Sequence, residues 1–358
     1  MSNQTTTNQF KTTTNLFKTA ATIFWGAILA FCTCSPITAQ TKSTTEPKIS
    51  FSDATDGKLN ISIQEKHFTT YDFKSQAKPF LYPVLGPQQL PMTRGFPIEE
   101  KPGEQHDHPH HKSIWKGHII NGVDFWTEKG GSIKHQKFVE CDEDSFTVLN
   151  HWIKKNKREP MLSDETTFHF GGDKDGKYRW LDAKIKFIAS HGDFTFDDTK
   201  EGLFAIRTHP AYRITPSKKQ KPKLDSKPAA RNSGGDTGKS IWGKQAKWVS
   251  YSGNVTNSAG KLQRGTILFF DHPSNFRHPT AWHARDYGLV AANPFGLHYF
   301  QKKPKGFGAH QIKNGNSITF RYRIVFHVEV GSAQKNSELE LKPEFIDQLF
   351  SDFAASKF

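Results

Sequence analysis

The chain has 358 residues, a formal net charge of +14 and a mean hydropathy of −0.66, with 35% hydrophobic residues. Such a polar chain leaves no room for the several apolar spans of an integral membrane enzyme, and three cysteines do not make a disulfide scaffold. The charge does not point to nucleic acid either, because no RNP-type aromatic motif, zinc finger or recognition-helix pattern accompanies it.

The first residues read as an export signal. MSNQTTTNQFKTTTNLFK carries Lys11, Lys18 and no acid, AATIFWGAILAFCTC is apolar, and SPITAQ follows. A basic start, a short apolar centre and a small exit residue are the pattern of a cleaved leader. Cleavage is expected after Ala39, with Ile37 at the −3 position; an uncleaved anchor is the alternative. The mature protein is then periplasmic or extracellular, with residues 40–57 a linker and residues 58–335 the folded domain. Cys32 and Cys34 leave with the leader, and one thiol, Cys141, cannot close an internal disulfide. A hydrophobic core must hold the fold.

Beyond the leader the periodicity is that of strands. KLNISIQ opens at Lys58, and FTVLNHWIKK follows at Phe146. YRWLDAKIKFIAS (178–190) places Trp180, Ala183, Ile185, Phe187 and Ala189 on one face, with a slip of register near Leu181. LFAIRTH, KWVSYSG and GTILFFD continue the series. SITFRYRIVFHVEV (317–330) alternates most cleanly, with Ile318, Phe320, Tyr322, Ile324, Phe326, Val328 and Val330 opposite Arg321, Arg323, His327 and Glu329. Turn signals separate the runs; DKDGK at Asp173 reads as a hairpin turn rather than a calcium loop. The Lys/Pro/Ser/Gly-rich stretch 217–239 predicts a disordered basic insertion. With the leader it carries half of the net charge, leaving +7 on the rest. Residues 336–358 predict a helix, with Pro343 at its first position and Phe345, Ile346, Leu349, Phe350 and Phe353 as its apolar stripe. Many long strands and one helix give an all-β fold, a large antiparallel two-sheet β-sandwich.

Five segments break the alternation with mixtures of His, Arg, Asp, Trp and Asn, the composition of a pocket that orients a small polar ligand. They are TRGFP with Arg94, HDHPHHKSIWKGH with NGVDFW, DDTKEGLFAIR, WGKQAKWVSYSG, and DHPSNFRHPTAWHARDYGLVAANPFG. The run 106–111 holds four of seventeen histidines. Extended, it would point His106, His108 and His110 one way and Asp107 and His111 the other, near a sheet edge because of Pro109. Two chemistries fit. In one, His108, His110, Glu201, Asp198, Asp271 and His272 supply acids and bases, while Arg94, Trp115, Arg207, Trp282, His283, Arg285 and Asn293 hold a sugar. Glu201 as base with His108 or His110 as acid is the simplest assignment. In the other, His106, His108 and His110, with His278 or His283, hold zinc or copper. No GxSxG element supports a serine nucleophile.

PFLYPVLGP (79–87), TRGFP, HDHPHHKSIW, NGVDFW, DTKEGLF, WGKQAKW and the 271–296 block together resemble a bacterial family labelled "methane oxygenase PmoA", over residues 78–330. The membrane methane monooxygenase subunit is built from apolar spans that this chain lacks after its leader, so methane oxidation is not expected. The resemblance implies an exported protein of polysaccharide-degrading bacteria with a galactose-mutarotase-like β-sandwich, a group whose members epimerise, cleave or simply bind sugars. A carbohydrate enzyme (lyase, epimerase or hydrolase), a non-catalytic carbohydrate-binding protein and a divalent-metal enzyme all remain open, with no nucleic acid partner and no membrane insertion of the mature chain.

Overall fold

The computed structural model describes residues 47–52, 55–215, 228–329 and 341–358. The leader, its cleavage point and residues 217–227 of the Lys-rich stretch lie outside these residues. Two eight-stranded antiparallel sheets and one four-stranded sheet account for the strands. In the first sheet the spatial order is 49–51, 58–63, 66–72, 80–84, 114–116, 204–207, 289–292, 282–284. The second runs 229–232, 248–256, 262–271, 317–328, 178–188, 160–172, 145–154, 131–141.

The alternating residues of the two large sheets meet in one core, a β-sandwich. Phe68 packs edge-on to Phe326 at 5.7 Å, Phe204 stacks on Tyr322 at 5.6 Å, and Trp282 meets Phe269 at 5.1 Å. An ion pair crosses between the sheets: Lys116 Nζ lies 3.0 Å from Asp164 Oδ1, and Asp164 also accepts from Asn150, Trp152 and Thr166. Those extra donors satisfy a carboxylate whose burial would otherwise be costly.

Strand 178–188 pairs with 317–328 from Tyr178↔His327 to Ile188↔Ser317 without interruption, so the expected slip at Leu181 does not occur. Leu181, Ala183, Ile185 and Phe187 face the inter-sheet core, and Trp180 faces the other way. Its apolar character on the "outer" face has a cause. The helix Pro343–Ala355 covers that face, seating Ile346, Leu349 and Phe353 on Leu268, Phe270 and Val325. Under it Arg323 grips Asp182 bidentately at 2.6 and 2.7 Å, with its guanidinium 4.4 Å from the Trp180 ring. The strand is thus buried on both sides, and simple alternation misassigns one residue.

Two boundaries also differ from expectation. Ile49–Phe51, inside the supposed linker, pairs with 58–63 as an edge strand. Ala229–Asn232 falls within the supposed disordered insertion and the short 3₁₀ turn Gly238–Ile241 begins there; pairing of 229–232 with strand 248–256 orders the chain despite its composition. Among the described residues no helix is long and apolar enough to cross a membrane.

Candidate functional site

The site is built on the first sheet. Along its last four strands alternation sends Ile114, Phe204, Ile206, Val290, Ala292, Trp282 and Ala284 into the inter-sheet core. Trp115, Ala205, Arg207, Leu289, Ala291, His283 and Arg285 therefore take the opposite face. Pairing aligns Trp115, Ala205, Ala291 and His283 in one row across the four strands. Three strand spacings put Trp115 and His283 ~14 Å apart, with only two methyl groups between them. Above this row a cavity of about 350 Å³ is lined by His108, His110, His111, Thr127, Lys200, Glu201, His283, Arg285 and Tyr287. That volume suits a small ligand.

The histidine run reaches the cavity through a turn rather than a strand. Pro109 occupies the second position of a four-residue turn closed by His111 N–H donating to His108 O at 3.0 Å, with His108 at φ 46°. Arg94 clamps the segment from behind, donating to Phe96 O at 3.0 Å, Gln105 O at 3.3 Å and His108 O at 3.1 Å and pairing with Asp107. Asp107 Oδ1 also accepts from Arg207 at 2.8 Å, and Arg207 donates to His111 Nδ1 at 3.0 Å. The predicted grouping is thereby broken. His108, His110 and His111 share the cavity, whereas His106 stacks on Phe96 at 4.5 Å, away from it. Among the described residues no three His, Cys, Asp or Glu side chains are placed to hold a metal ion, so the proposed zinc or copper set of His106, His108 and His110 does not converge.

Rings form a column from sheet to cavity. His111 stacks on Trp115 at 5.1 Å, His108 on His111 at 4.7 Å, and Tyr287 on His108 at 5.1 Å. Tyr287 also lies against two guanidinium groups, Arg207 at 4.7 Å and Arg285 at 5.4 Å.

Hydrogen-bond partners fix the state of the imidazoles. Arg207 can only donate, so His111 Nδ1 is unprotonated and its proton sits on Nε2. His283 is the reverse: Nδ1–H donates to the Lys200 carbonyl at 2.8 Å, leaving a bare Nε2. Burial, then Arg207 and the neighbouring histidines, holds His111 well below the usual histidine range. Burial followed by Lys200 and Arg285 pushes His283 down to about 3, and burial with Lys78 and His108 does the same for His110. Burial opposes ionisation of Asp107, but His108, Arg207 and Arg94 outweigh it and keep the carboxyl well below its ordinary value. Glu201 forms an ion pair with Lys200 at the cavity wall. The backbone of Arg285 is hydrogen-bonded to Leu289, Gly288 and Tyr251, but its guanidinium has no hydrogen bond or ion pair to any described residue, although its ring contact with Tyr287 orients it.

Several expected site residues serve the scaffold instead. Asp198 Oδ1 accepts from His298 N–H at 3.1 Å and Oδ2 from Gly308 N–H at 3.0 Å, tying down the 298–308 segment. Asp271 accepts from Asn275, His278 and the Thr280 amide, closing its own loop on the second sheet. His272 bonds Ser274 and packs edge-on to Phe353. Trp282 is in the inter-sheet core, donating to Ala246 O, and Asn293 joins Thr199 O to the Phe295 amide. Trp115 and Arg94 act beneath and behind the cavity. Conversely, His111, Thr127, Lys200 and Tyr287 line it without having been singled out. Tyr287 had a readable signal: His283, Arg285 and Tyr287 follow one another at spacing two.

No curated protein matches the chain. Solved structures that are similar include a variant of a glycoside hydrolase family 97 enzyme from Pseudoalteromonas sp. strain K8, at 12% identity over 79% of this chain and 34% of that one, TM-score 0.30. A 4-alpha-glucanotransferase from Thermococcus litoralis shares 10% identity over 79% and 40%, TM-score 0.29. A galactose mutarotase-like protein from Clostridium acetobutylicum shares 8% over 80% of this chain and 100% of that one, TM-score 0.34. The chain spans about a third of the length of the family 97 enzyme, and likeness at this level carries no substrate across. The "methane oxygenase" label suggested by the signature blocks is not the description of the family that matches. Residues 58–339 match DUF6807, described as a family of unknown function, and the chain belongs to that family.

Proposed function

We propose that the cavity binds a carbohydrate and moves a proton on it, as an epimerase or a lyase, with Glu201 as the base. The observation that carries this reading is the pairing of one carboxylate with two neutral imidazoles of opposite tautomer in the same cavity. A glycoside hydrolase of the usual kind needs two carboxyl groups flanking the bond it breaks. Here Glu201 is the only carboxylate among the described lining residues, since Asp198 is spent on two amides and Asp107 is locked between two arginines. Proton abstraction beside a carbonyl or carboxyl group needs less: a base, a donor at the oxygen where charge develops, and a group to orient the ring. Lys200 pairs with Glu201 and holds its carboxylate at the cavity wall. The Nε2–H of His111 is the donor; held neutral, it stabilises an oxyanion by hydrogen bonding rather than by losing its proton. His283 Nε2 accepts from a sugar hydroxyl.

Incubation of the protein with a panel of neutral and acidic sugars in D₂O tests this, with NMR reading deuterium uptake at carbon or a new double bond. Glu201→Gln is expected to lower turnover by about a hundredfold or more while ligand affinity changes little. Undiminished turnover in that variant would overturn the assignment. Saturable binding with no turnover in either protein would favour the non-catalytic carbohydrate-binding reading. We also read the N-terminal segment as an export leader, placing the mature protein in the periplasm or outside the cell, with Gln40 as the N-terminal residue on sequencing.

A further inference from the structure

We propose that the cavity selects a sugar carrying a negative group, a carboxylate or a sulfate, seated on the Arg285 guanidinium with Lys200 beside it. The inference rests on the carbohydrate reading above and narrows its substrate class.

Arg285 is the first reason. Arg94 and Arg207 share Asp107, Arg323 holds Asp182, and Arg277 donates to the Pro294 and Gly308 carbonyls. Arg285 lines the cavity with its guanidinium donors unassigned among the described residues, yet it is steadied by the Tyr287 face at 5.4 Å. A guanidinium offers a planar fork of donors that matches a carboxylate or sulfate edge, and it meets that geometry better than a lone hydroxyl does.

Charge balance is the second. Three of the lining imidazoles, His110, His111 and His283, are held neutral, and the lining still carries Lys200 and Arg285 against Glu201, an excess of at least one positive charge. The wall behind reinforces it. Asp107 is shared by Arg94 and Arg207, and Glu128 by Lys78 and Lys112, two cations to each carboxylate. Asp124, bonded to Thr127, and Glu104, near Arg94, offset two of these charges, and Arg213 adds one. Lys78 is buried with its ammonium 3.1 Å from Glu128, so this charge is built into the wall and screened little by salt. A neutral sugar would leave the excess uncompensated, whereas an anionic one neutralises it in a partly dry site.

The rim agrees. The segment tied down by Asp198 carries exposed Lys302, Lys303 and Lys305, and Phe300 at its start lies 6.1 Å from the His283 ring. A longer acidic chain leaving the cavity would pass along cations on that side.

The test is an array of neutral glucan and mannan oligosaccharides, uronate-containing oligosaccharides and sulfated oligosaccharides, probed with the full-length protein, Arg285→Gln and Arg285→Lys. Binding is expected on acidic probes, weakened roughly tenfold or more in Arg285→Gln and partly restored in Arg285→Lys. The uronate and sulfate arms identify which anion is meant. Equal binding of neutral and acidic probes, unchanged in Arg285→Gln, would overturn this inference and leave the carbohydrate reading intact. Binding to none of the probes by a folded protein would remove both.

Discussion

Two loops of this protein share histidine, aspartate and proline and put them to opposite uses. HDHPHH at 106–111 and DHPSNFRHP at 271–279 both mix histidine, aspartate and proline. In the second, Asp271 takes its partners from the next nine residues: Asn275, His278 and the Thr280 amide. It closes a turn. In the first, Asp107 is held by Arg94 and Arg207, thirteen and one hundred residues away, and Arg207 in turn fixes His111. The difference lies in the sequence distance of the partners, not in the residue types. A carboxylate satisfied by its own loop organises that loop, whereas one satisfied from remote strands gathers a site.

Paired substitutions put that contrast at risk most directly. Asp107→Asn leaves two buried guanidinium groups without their counter-charge, and a loss of about 3 kcal/mol in unfolding free energy is expected along with loss of ligand binding. Asp271→Asn weakens three local hydrogen bonds, so about 1–3 kcal/mol of stability should go while ligand affinity is retained. If urea titrations and binding assays gave the same profile for both variants, the two loops would not differ as described.

Acid sensitivity sharpens the comparison. The buried His283 titrates near 3 in the folded protein against an ordinary 6.5. Below pH 6.5 the unfolded chain takes up a proton that the folded site refuses, so stability falls as pH drops towards 3. The slope is at most ~1.4 kcal/mol per pH unit for this ring. His283→Gln should remove that share of the slope, measured by unfolding at a series of pH values. An unchanged slope would mean that His283 does not sit neutral and buried above the first sheet. The smallest effect is expected at His106. Stacked on Phe96 outside the cavity, it should tolerate His106→Ala with stability within about 0.5 kcal/mol and ligand affinity unaltered. A clear loss of affinity would restore the extended arrangement of His106, His108 and His110.

Much of the fold was legible because one face of most strands is core: the runs starting at 58, 146, 203, 247, 265 and 317 all lie in strands. Trp180 was misplaced because the C-terminal helix buries the second face of its strand, a tertiary fact that periodicity cannot report. The site was legible where it sits on strands. Arg207, His283 and Arg285 fall at period-two positions and share a face. It was illegible where loops carry it: Pro109 and the Arg94 clamp turn the histidine run, so His111 faces inward and His106 does not. Lys200 was illegible too, since nothing in its neighbourhood of sequence reveals that its carbonyl receives His283.

Asp198 has a mechanical consequence. Its two oxygens rivet amides ten positions apart in the 298–308 segment to the short stretch that ends in Lys200 and Glu201. On the function proposed above, a polymer drawn along the rim would tug Glu201 along with it, coupling engagement of the outlying chain to the placement of that carboxylate.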